Sequence, residues 1–486
     1  MTPDDGIAFG PAQAITAVGI VTRGREASLG TCVDSYRQNC RRHDRTPRFV
    51  ITDDSRGDDA QARTRSTLRL QQRDDTPISY GGHHERLRFV EALAEDSGIP
   101  IDVIRFGVLG DERCSITTGA NRNSLLLETL DTLVLSVDDD TRCRVGAPPG
   151  AEASVVPFTG YDPTEFWFFA DHRAAIESLL FSDVDILGCH ETMLGRRRVQ
   201  DGAHVAITLQ GLAGDSGMGT PHYYLGLAGA SRARLVETLD GYRSAFRSRE
   251  VVRVVRRPTC AASPFCMTTC FGYDNRVPLP PFFPVQRNSD GIFGLMLQRC
   301  VGGTRTGFLP SVIVHQPEPP RSCLADDIWA ETATVRTADL VIGCVLAHNP
   351  GNALLDANAR FVQLGRFLQE LSALTLPAFE ARVRGYQQFR VMAFVALLQS
   401  RLQMHDASPS YWAADVQRVI DLFSEAAGTD DYVIPRDLRE GRGRDEARQF
   451  SQELIGRFGE LVEAWPTIVA AARRLLAQGR RLTTPV

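Results

Sequence analysis

The sequence predicts an α/β fold with a mainly parallel sheet, followed by an all-α region. Three observations predict it. Short apolar runs at residues 17–21, 48–52 and 133–137 have the length and β-branched content of buried strands. The segments between them carry apolar residues at helical spacing, and strands alternating with helices indicate a parallel sheet. Beyond about Glu331 the strand-like runs stop and only helical periodicity remains. The chain therefore divides into residues 1–330 and a helical region, 331–486.

The elements follow in order. Ala17-Val18-Gly19-Ile20-Val21 reads as the first strand, with Thr22-Arg23-Gly24-Arg25 as the turn after it. Leu29, Cys32, Val33 and Tyr36 mark a helix, and Arg48 to Thr52 a second strand ending in Asp53-Asp54-Ser55. Together these make a βαβ unit with acids at its tip. Arg56 to Asp75 is polar and arginine-rich and reads as an exposed excursion. Glu85 to Asp96 is an amphipathic helix, Ile101 to Phe106 a third strand, Asn123 to Leu130 a helix, and Leu133 to Val137 a fourth strand. Arg144 to Pro284 is less regular. Gly307 to His315 is a late strand. Phe361, Leu364, Leu368 and Leu371, then Val416, Val419, Ile420 and Phe423, then Phe450, Leu454, Phe458 and Leu461, mark the final helices.

Composition narrows the function. A formal charge of −5 gives no general case for nucleic-acid binding. No apolar run reaches the roughly 18 to 20 residues of a spanning helix, and the acidic N-terminus lacks the basic and apolar regions of a signal peptide. No transmembrane segment and a cytoplasmic location are the expectations. All 54 basic residues other than histidine are arginine. Without lysine, a Schiff-base mechanism and the lysine of a Walker-type phosphate loop are both excluded. The 11 cysteines lack framework spacing. Cys260, Cys266 and Cys270 fit no zinc or iron–sulfur signature and read as buried thiols.

Asp138-Asp139-Asp140 carries the most chemistry. Three carboxylates at a strand's end are held close by a rigid element, and hard divalent cations bind one or two such carboxylates while keeping room for substrate phosphates. In open α/β sheets ligands bind outside the carboxyl ends of the strands, where Asp53, Asp54 and Asp138 to Asp140 all fall. The plain alternative is a solvated acidic turn.

These residues resemble those of a GT-A-fold glycosyltransferase, broadly of the family-2 type, over roughly residues 15 to 315 with a long middle insertion. Val18 to Arg23 resembles the segment that meets the nucleotide, and Asp53-Asp54-Ser55 the strand-end acids near the base. Asn121-Arg122-Asn123 resembles the family's Ala-Arg-Asn run, and Asp138-Asp139-Asp140 its D-x-D metal motif. Arg287-Asn288-Ser289-Asp290-Gly291 resembles the late acidic motif, with Ser-Asp where Glu-Asp is usual. The Gln-x-x-Arg-Trp motif of processive synthases is absent.

The resemblance implies a non-processive, metal-dependent transferase that moves a sugar from a nucleotide-diphosphate sugar, with UDP as the first nucleotide to test and the acceptor open. Asp138 and Asp140 would hold Mn²⁺ or Mg²⁺, with His315 as a further ligand. Thr22, Arg23, Asp53, Asp54, Arg122 and Asp139 would contact substrate, and Asp290 would be the base of an inverting reaction. Each assignment has a structural counterpart. Asp290 also suits a helix cap, His315 a hydrogen-bonded structural role, and Arg122 a salt bridge. A catalytically silent binding or scaffold domain and, further off, a nucleotidyltransferase are the rival functions. Gly214-Asp215-Ser216-Gly217 resembles a serine-protease segment but reads as a polar turn near the acceptor. His83-His84 reads as a helix start, and Phe166 to Phe169 as core. The C-terminal helices are a packing module or a route to homo-oligomers.

Overall fold

Seven core strands carry the sheet. They are β1 (Ala17–Thr22), β2 (Arg48–Asp53), β3 (Ile78–Gly81), β4 (Leu133–Asp138), β5 (His204–Asp215), β6 (Cys270–Asp274) and β7 (Thr304–His315). A computed structural model of the chain describes residues 13–72, 76–152, 158–198, 202–319, 321, 329, 332–349 and 355–486. The strands lie in the order β3-β2-β1-β4-β6-β5-β7. β6 runs antiparallel to both of its neighbours, and every other contact within this set is parallel. Six carboxyl ends therefore share one edge. Short strands extend the sheet: Thr141–Ala147 and Thr259–Ala261 pair with β7, and Glu250–Val254 pairs with β5.

Four helices lie between the first strands. They are α1 (Glu26–Arg42), α2 (Asp58–Gln71), α3 (His83–Ser97) and α4 (Ile101–Leu109), and α5 (Thr118–Glu128) leads into β4. Two expectations are corrected here. Residues 101–106 are helix, not strand: Pro100 precedes α4 and Gly110 closes it with φ +80°, which are helix boundary signals. A nine-residue apolar run is ambiguous between a strand and a buried helix. The third strand is instead the four-residue Ile78–Gly81. The expected excursion is largely helix α2, with residues 73–75 outside the described set. Its buried stripe is Gln61, Thr64 and Leu68, helically spaced but mostly polar, so no apolar period announced it.

Helix α6 (Ser289–Cys300) precedes β7, and the helical region then comprises α7 (Thr337–Ala347), α8 (Ala357–Ser372), α9 (Leu376–Met404), α10 (Ser410–Ala427) and α11 (Arg444–Ala477). Glu331, the expected boundary, lies outside the described residues. The final helices share a core with the sheet domain: one buried cluster runs from Ala17 through Phe283 to Leu461 and Leu482. Close approach between α8 and α11 needs glycine, because a Cβ on Gly365 would stand 2.6 Å from the Gly459 carbonyl oxygen. The Trp465 indole donates to the Leu279 carbonyl at 2.9 Å. Residues 484–485 then return to pair with β3. Behind that strand the fully buried Glu128 carboxylate accepts from Arg48, from Arg481 and from the Leu482 backbone N–H. The division near 330 is thus one of secondary structure rather than of separate cores.

On α9, Phe389, Met392 and Met404 remain exposed along one face. Among the described residues, no helix is long and apolar enough to cross a membrane. Phe166 stacks on Phe168 and packs edge-on to Tyr224, so the aromatic run belongs in part to the core.

Candidate active site at the carboxyl ends of the strands

Strand register brings the acids together. Thr22 lies opposite Asp53, Val21 opposite Asp138, and His315 opposite Gly214. β6 runs the other way, so the residues before it, Thr268 and Thr269, also reach this edge. The Thr269 carbonyl accepts from the Asp138 backbone N–H at 3.0 Å.

Asp138 is a quarter exposed and accepts from Arg122 at 2.8 Å. Asp139 and Asp140 are only 3% exposed. The Thr22 hydroxyl donates to Asp139 at 2.7 Å, and the Ser28 hydroxyl to its carbonyl at 3.0 Å. Arg25 spans both acids, at 3.0 Å to Asp139 and 2.9 Å to Asp140. Burial and the neighbouring Asp140 charge push the Asp139 carboxyl up to about 6, against the pull of Arg25 and Thr22. Burial alone would raise Asp140 too, but His315, Arg25 and Arg321 overcome it and hold that carboxyl well below the usual range.

His315 ends β7. Its Nδ1 lies 2.6 Å from the Asp215 carbonyl oxygen, and its Nε2 stands 3.4 Å from Asp140 Oδ1. Burial disfavours the imidazolium, yet Asp140 and the Asp215 carbonyl outweigh that and raise the imidazole above its ordinary value. The Asp215 carbonyl holds Nδ1–H, an arrangement common for metal-ligating histidines, and in the imidazolium Nε2–H faces Asp140, so a cation at Nε2 would take the place of that proton. Asp140 Oδ1 is buried and accepts no hydrogen bond of good geometry, its nearest partner being the ion-pairing His315 Nε2 at 3.4 Å. A cation held there would share these two atoms. Asp138 turns to Arg122 but lies within electrostatic reach of both Asp140 and His315. Among the described residues, no group of three or more His, Cys, Asp and Glu is placed to hold a metal by side chains alone.

Asp290, in the first turn of α6, accepts from the Gly291 N–H at 3.0 Å and from the Thr268 N–H at 3.4 Å. It therefore ties down one free N–H in the first turn of its helix, whose N-cap is Asn288, and stands one residue from the backbone segment that meets Asp138.

The other expected site residues fall into two groups. Asp53 is fully buried: Oδ1 accepts from the Ser55 N–H and hydroxyl, and Oδ2 from the Tyr80 hydroxyl at 2.7 Å. Asp54 accepts from the buried Arg86 at 3.0 Å and from Thr117. Both acids brace the loops around the site. Arg23 reaches the Ser115 carbonyl and makes no contact with the acid row. Asn121 clamps the Thr22 and Thr52 carbonyls, and Asn123 clamps Gly107 and Phe282, so within that run only Arg122 reaches the acids. Gly119 allows α5 to start there, since a Cβ would lie 1.8 Å from the Phe283 carbonyl oxygen. His83 and His84 begin α3, and His84 pairs with Asp58, away from the acid row.

Sequence reasoning missed Arg25, Asp215 and Arg249 as site residues. Arg249 grips Asp215 with two bonds of 3.0 Å. Arg321 stands between Asp140 and Asp215, at 3.5 and 3.8 Å. Arg25 lies in the turn after β1, two residues beyond the Val18 to Arg23 segment read as meeting the nucleotide. Asp215 ends a twelve-residue strand that its glycines disguised. An open cavity of about 530 Å³, lined by Arg142, Arg144, His172, Arg173, Val314 and Gln316, lies on the other face of β7 from His315. Compared with known proteins, the sequence matches no family model, and no curated protein matches it significantly.

Proposed function

We propose that the chain is a metal-assisted, non-processive glycosyltransferase of the GT-A type, taking a nucleotide-diphosphate sugar as donor. The observation that carries the reading is the buried Asp140 Oδ1 facing His315 Nε2 at 3.4 Å, with no other partner of hydrogen-bond geometry, at the carboxyl ends of parallel strands.

Asp140 and His315, with Asp138 nearby, would hold Mn²⁺ or Mg²⁺. Bound there, the cation supplies charge neutralisation to the departing diphosphate. Arg122 and Arg25 keep the acids oriented through bonds of 2.8 to 3.0 Å. Thr22 fixes Asp139 at the end of β1, so the loop that meets the nucleotide and the acid row move as one unit. Asp290 accepts the proton of the acceptor hydroxyl as the new bond forms, in an inverting displacement. Its two backbone N–H donors fix the carboxylate's direction and leave oxygen lone pairs for that proton.

One observation favours a second reading, a binding domain without catalysis: all three acids already have arginine partners. Thermal unfolding with UDP-, GDP- and dTDP-sugars, with and without Mn²⁺, separates the two. A nucleotide-sugar that raises the melting temperature only in the presence of Mn²⁺ is the expected result, because ligands that bind the native state stabilise it. No metal-dependent shift with any donor would leave the binding-domain reading standing.

A further inference from the structure

The open cavity beside β7 is separate from the acid row and has a wall of two kinds. Its volume is about 530 Å³, which is the size of a small-molecule site. It is bordered by the strand Thr141–Ala147, the end of β7 and the short helix His172–Glu177. Ile176, Leu179, Phe181 and Val314 give it an apolar side, and Arg142, Arg144 and Arg173 a basic one. Arg142 lies opposite Val314 in the strand pairing, one step beyond the pair of Thr141 with His315. Neither His315 nor any of the three acids at the tip of β4 lines it.

The basic groups differ in what they already hold. Arg173 pairs with Glu177 at 2.6 Å, and His172 with Glu250 at 3.1 Å. Arg142 donates through Nη1 to the Thr141 carbonyl at 3.0 Å and to the Ser28 carbonyl at 3.5 Å, and to no carboxylate. The Arg144 guanidinium lies over the Phe181 ring, 3.6 Å from its centre, and among the described residues no hydrogen bond or ion pair reaches it. A guanidinium stacked on a ring keeps the N–H donors of its edge free. Glu177 is the one acid that lines the cavity among the described residues, and Asp326, Asp327 and Glu331 lie outside that set. Contact rather than a tally of charge therefore sets Arg142 and Arg144 apart: no described carboxylate pairs with either.

We propose that this cavity is a second binding site, for a phosphate monoester carried on an apolar body. The phosphate lies between Arg142 and Arg144, and the body against Ile176, Leu179 and Val314. Two guanidiniums on separate stems suit a group with three terminal oxygens, because each can take oxygens through paired N–H donors. A carboxylate has two oxygens and is satisfied by a single fork.

The test uses the full chain in EDTA at about pH 8, where the monoester is a dianion and no cation draws it to the acid row. Phenyl phosphate is titrated in by calorimetry. Inorganic phosphate and benzoate are parallel arms that remove the apolar body and the phosphate in turn. Phenyl phosphate should bind about tenfold or more tightly than either, since body burial and the second charge-assisted pair each contribute about that factor. R144Q and R142Q should each weaken its binding by about tenfold or more. R144Q removes no hydrogen bond among the described residues, so its melting curve without ligand should overlay that of the wild type. R366Q, which alters an exposed arginine paired with Glu463 on α11, should bind as the wild type does. The proposal is overturned if phenyl phosphate does not bind, if R142Q or R144Q binds it as well as the wild type, or if R366Q loses as much. Equal binding of inorganic phosphate or benzoate would also overturn it, since the apolar side or the second guanidinium would then be idle. Neither metal nor nucleotide is present, so failure of the donor to stabilise the protein would reject the transferase reading and leave this site standing.

Discussion

Two strand tips in this molecule carry adjacent acids, and they have opposite fates. At the end of β2, Asp53 and Asp54 have their side-chain oxygens taken by Ser55, Tyr80, Arg86 and Thr117. At the end of β4, Asp138, Asp139 and Asp140 face arginines and a histidine drawn from distant segments, and one buried oxygen of Asp140 is left without a hydrogen bond. The first arrangement is complete. The second leaves a buried carboxylate oxygen facing a histidine. Acids at a strand end thus mark a place where chemistry is possible, and the donors around them decide whether it is used.

Asp290 belongs to neither class, since only backbone N–H groups hold it, and it gives the largest expected effect. D290N keeps the size and the capping ability but removes the proton acceptor. Turnover should fall by about 10²- to 10⁴-fold with donor binding nearly unchanged in the same preparation. Wild-type turnover with the true acceptor would leave Asp290 as a cap alone.

The contrast between the two tips is sharpened by a pair of variants. D140N should abolish the Mn²⁺-dependent rise in melting temperature given by the donor. D53N should retain that rise, yet lose about 1–3 kcal/mol of stability in urea unfolding, because an amide cannot accept from Ser55 and Tyr80 together without leaving a buried donor unmet. If D53N lost nucleotide binding while D140N kept it, the roles of the two tips would be reversed.

The smallest effect concerns an acid outside both tips. Asp111 ties the loop after α4 to Arg113 and to Arg457 on α11. Burial opposes its charge, but the hydrogen bonds from Arg113 and the charges of Arg113 and Arg457 win, lowering the carboxyl from 3.8 to about 2. A depressed folded-state value means that the stabilisation is present above pH 3.8 and is lost as the pH falls toward 2. Urea midpoints followed down this window should drop less steeply in D111N than in the wild type. Parallel curves would show that Asp111 contributes nothing to acid sensitivity.

Much of this frame was legible in the sequence. The apolar runs that became β1, β2 and β4 announced themselves by length and branching, and their tips placed Asp53 and Asp138 to Asp140 at one edge. What distinguished the tips was not legible, because Tyr80, Arg86 and Thr117 meet Asp53 and Asp54 only through tertiary packing. His315 was found as a strand end, but the partner that orients it, Asp215, comes from a strand whose pairing no local pattern discloses. The helix at residues 101–109 was lost to the ambiguity of short apolar runs, and α2 because its buried stripe is mostly polar.

The return of residues 484–485 to β3 bears on how the molecule is made. The bond between Glu128 and the Leu482 N–H spans 354 residues of chain, so this edge of the sheet is among the last contacts that can form. Until then β3 presents an unpaired row of backbone groups, the template on which other chains add. Contacts of such long range slow folding and prolong the life of partly ordered states. The protein's vulnerability to aggregation should therefore lie at this edge, during the interval between formation of the sheet and docking of the final segment, rather than at the acid row.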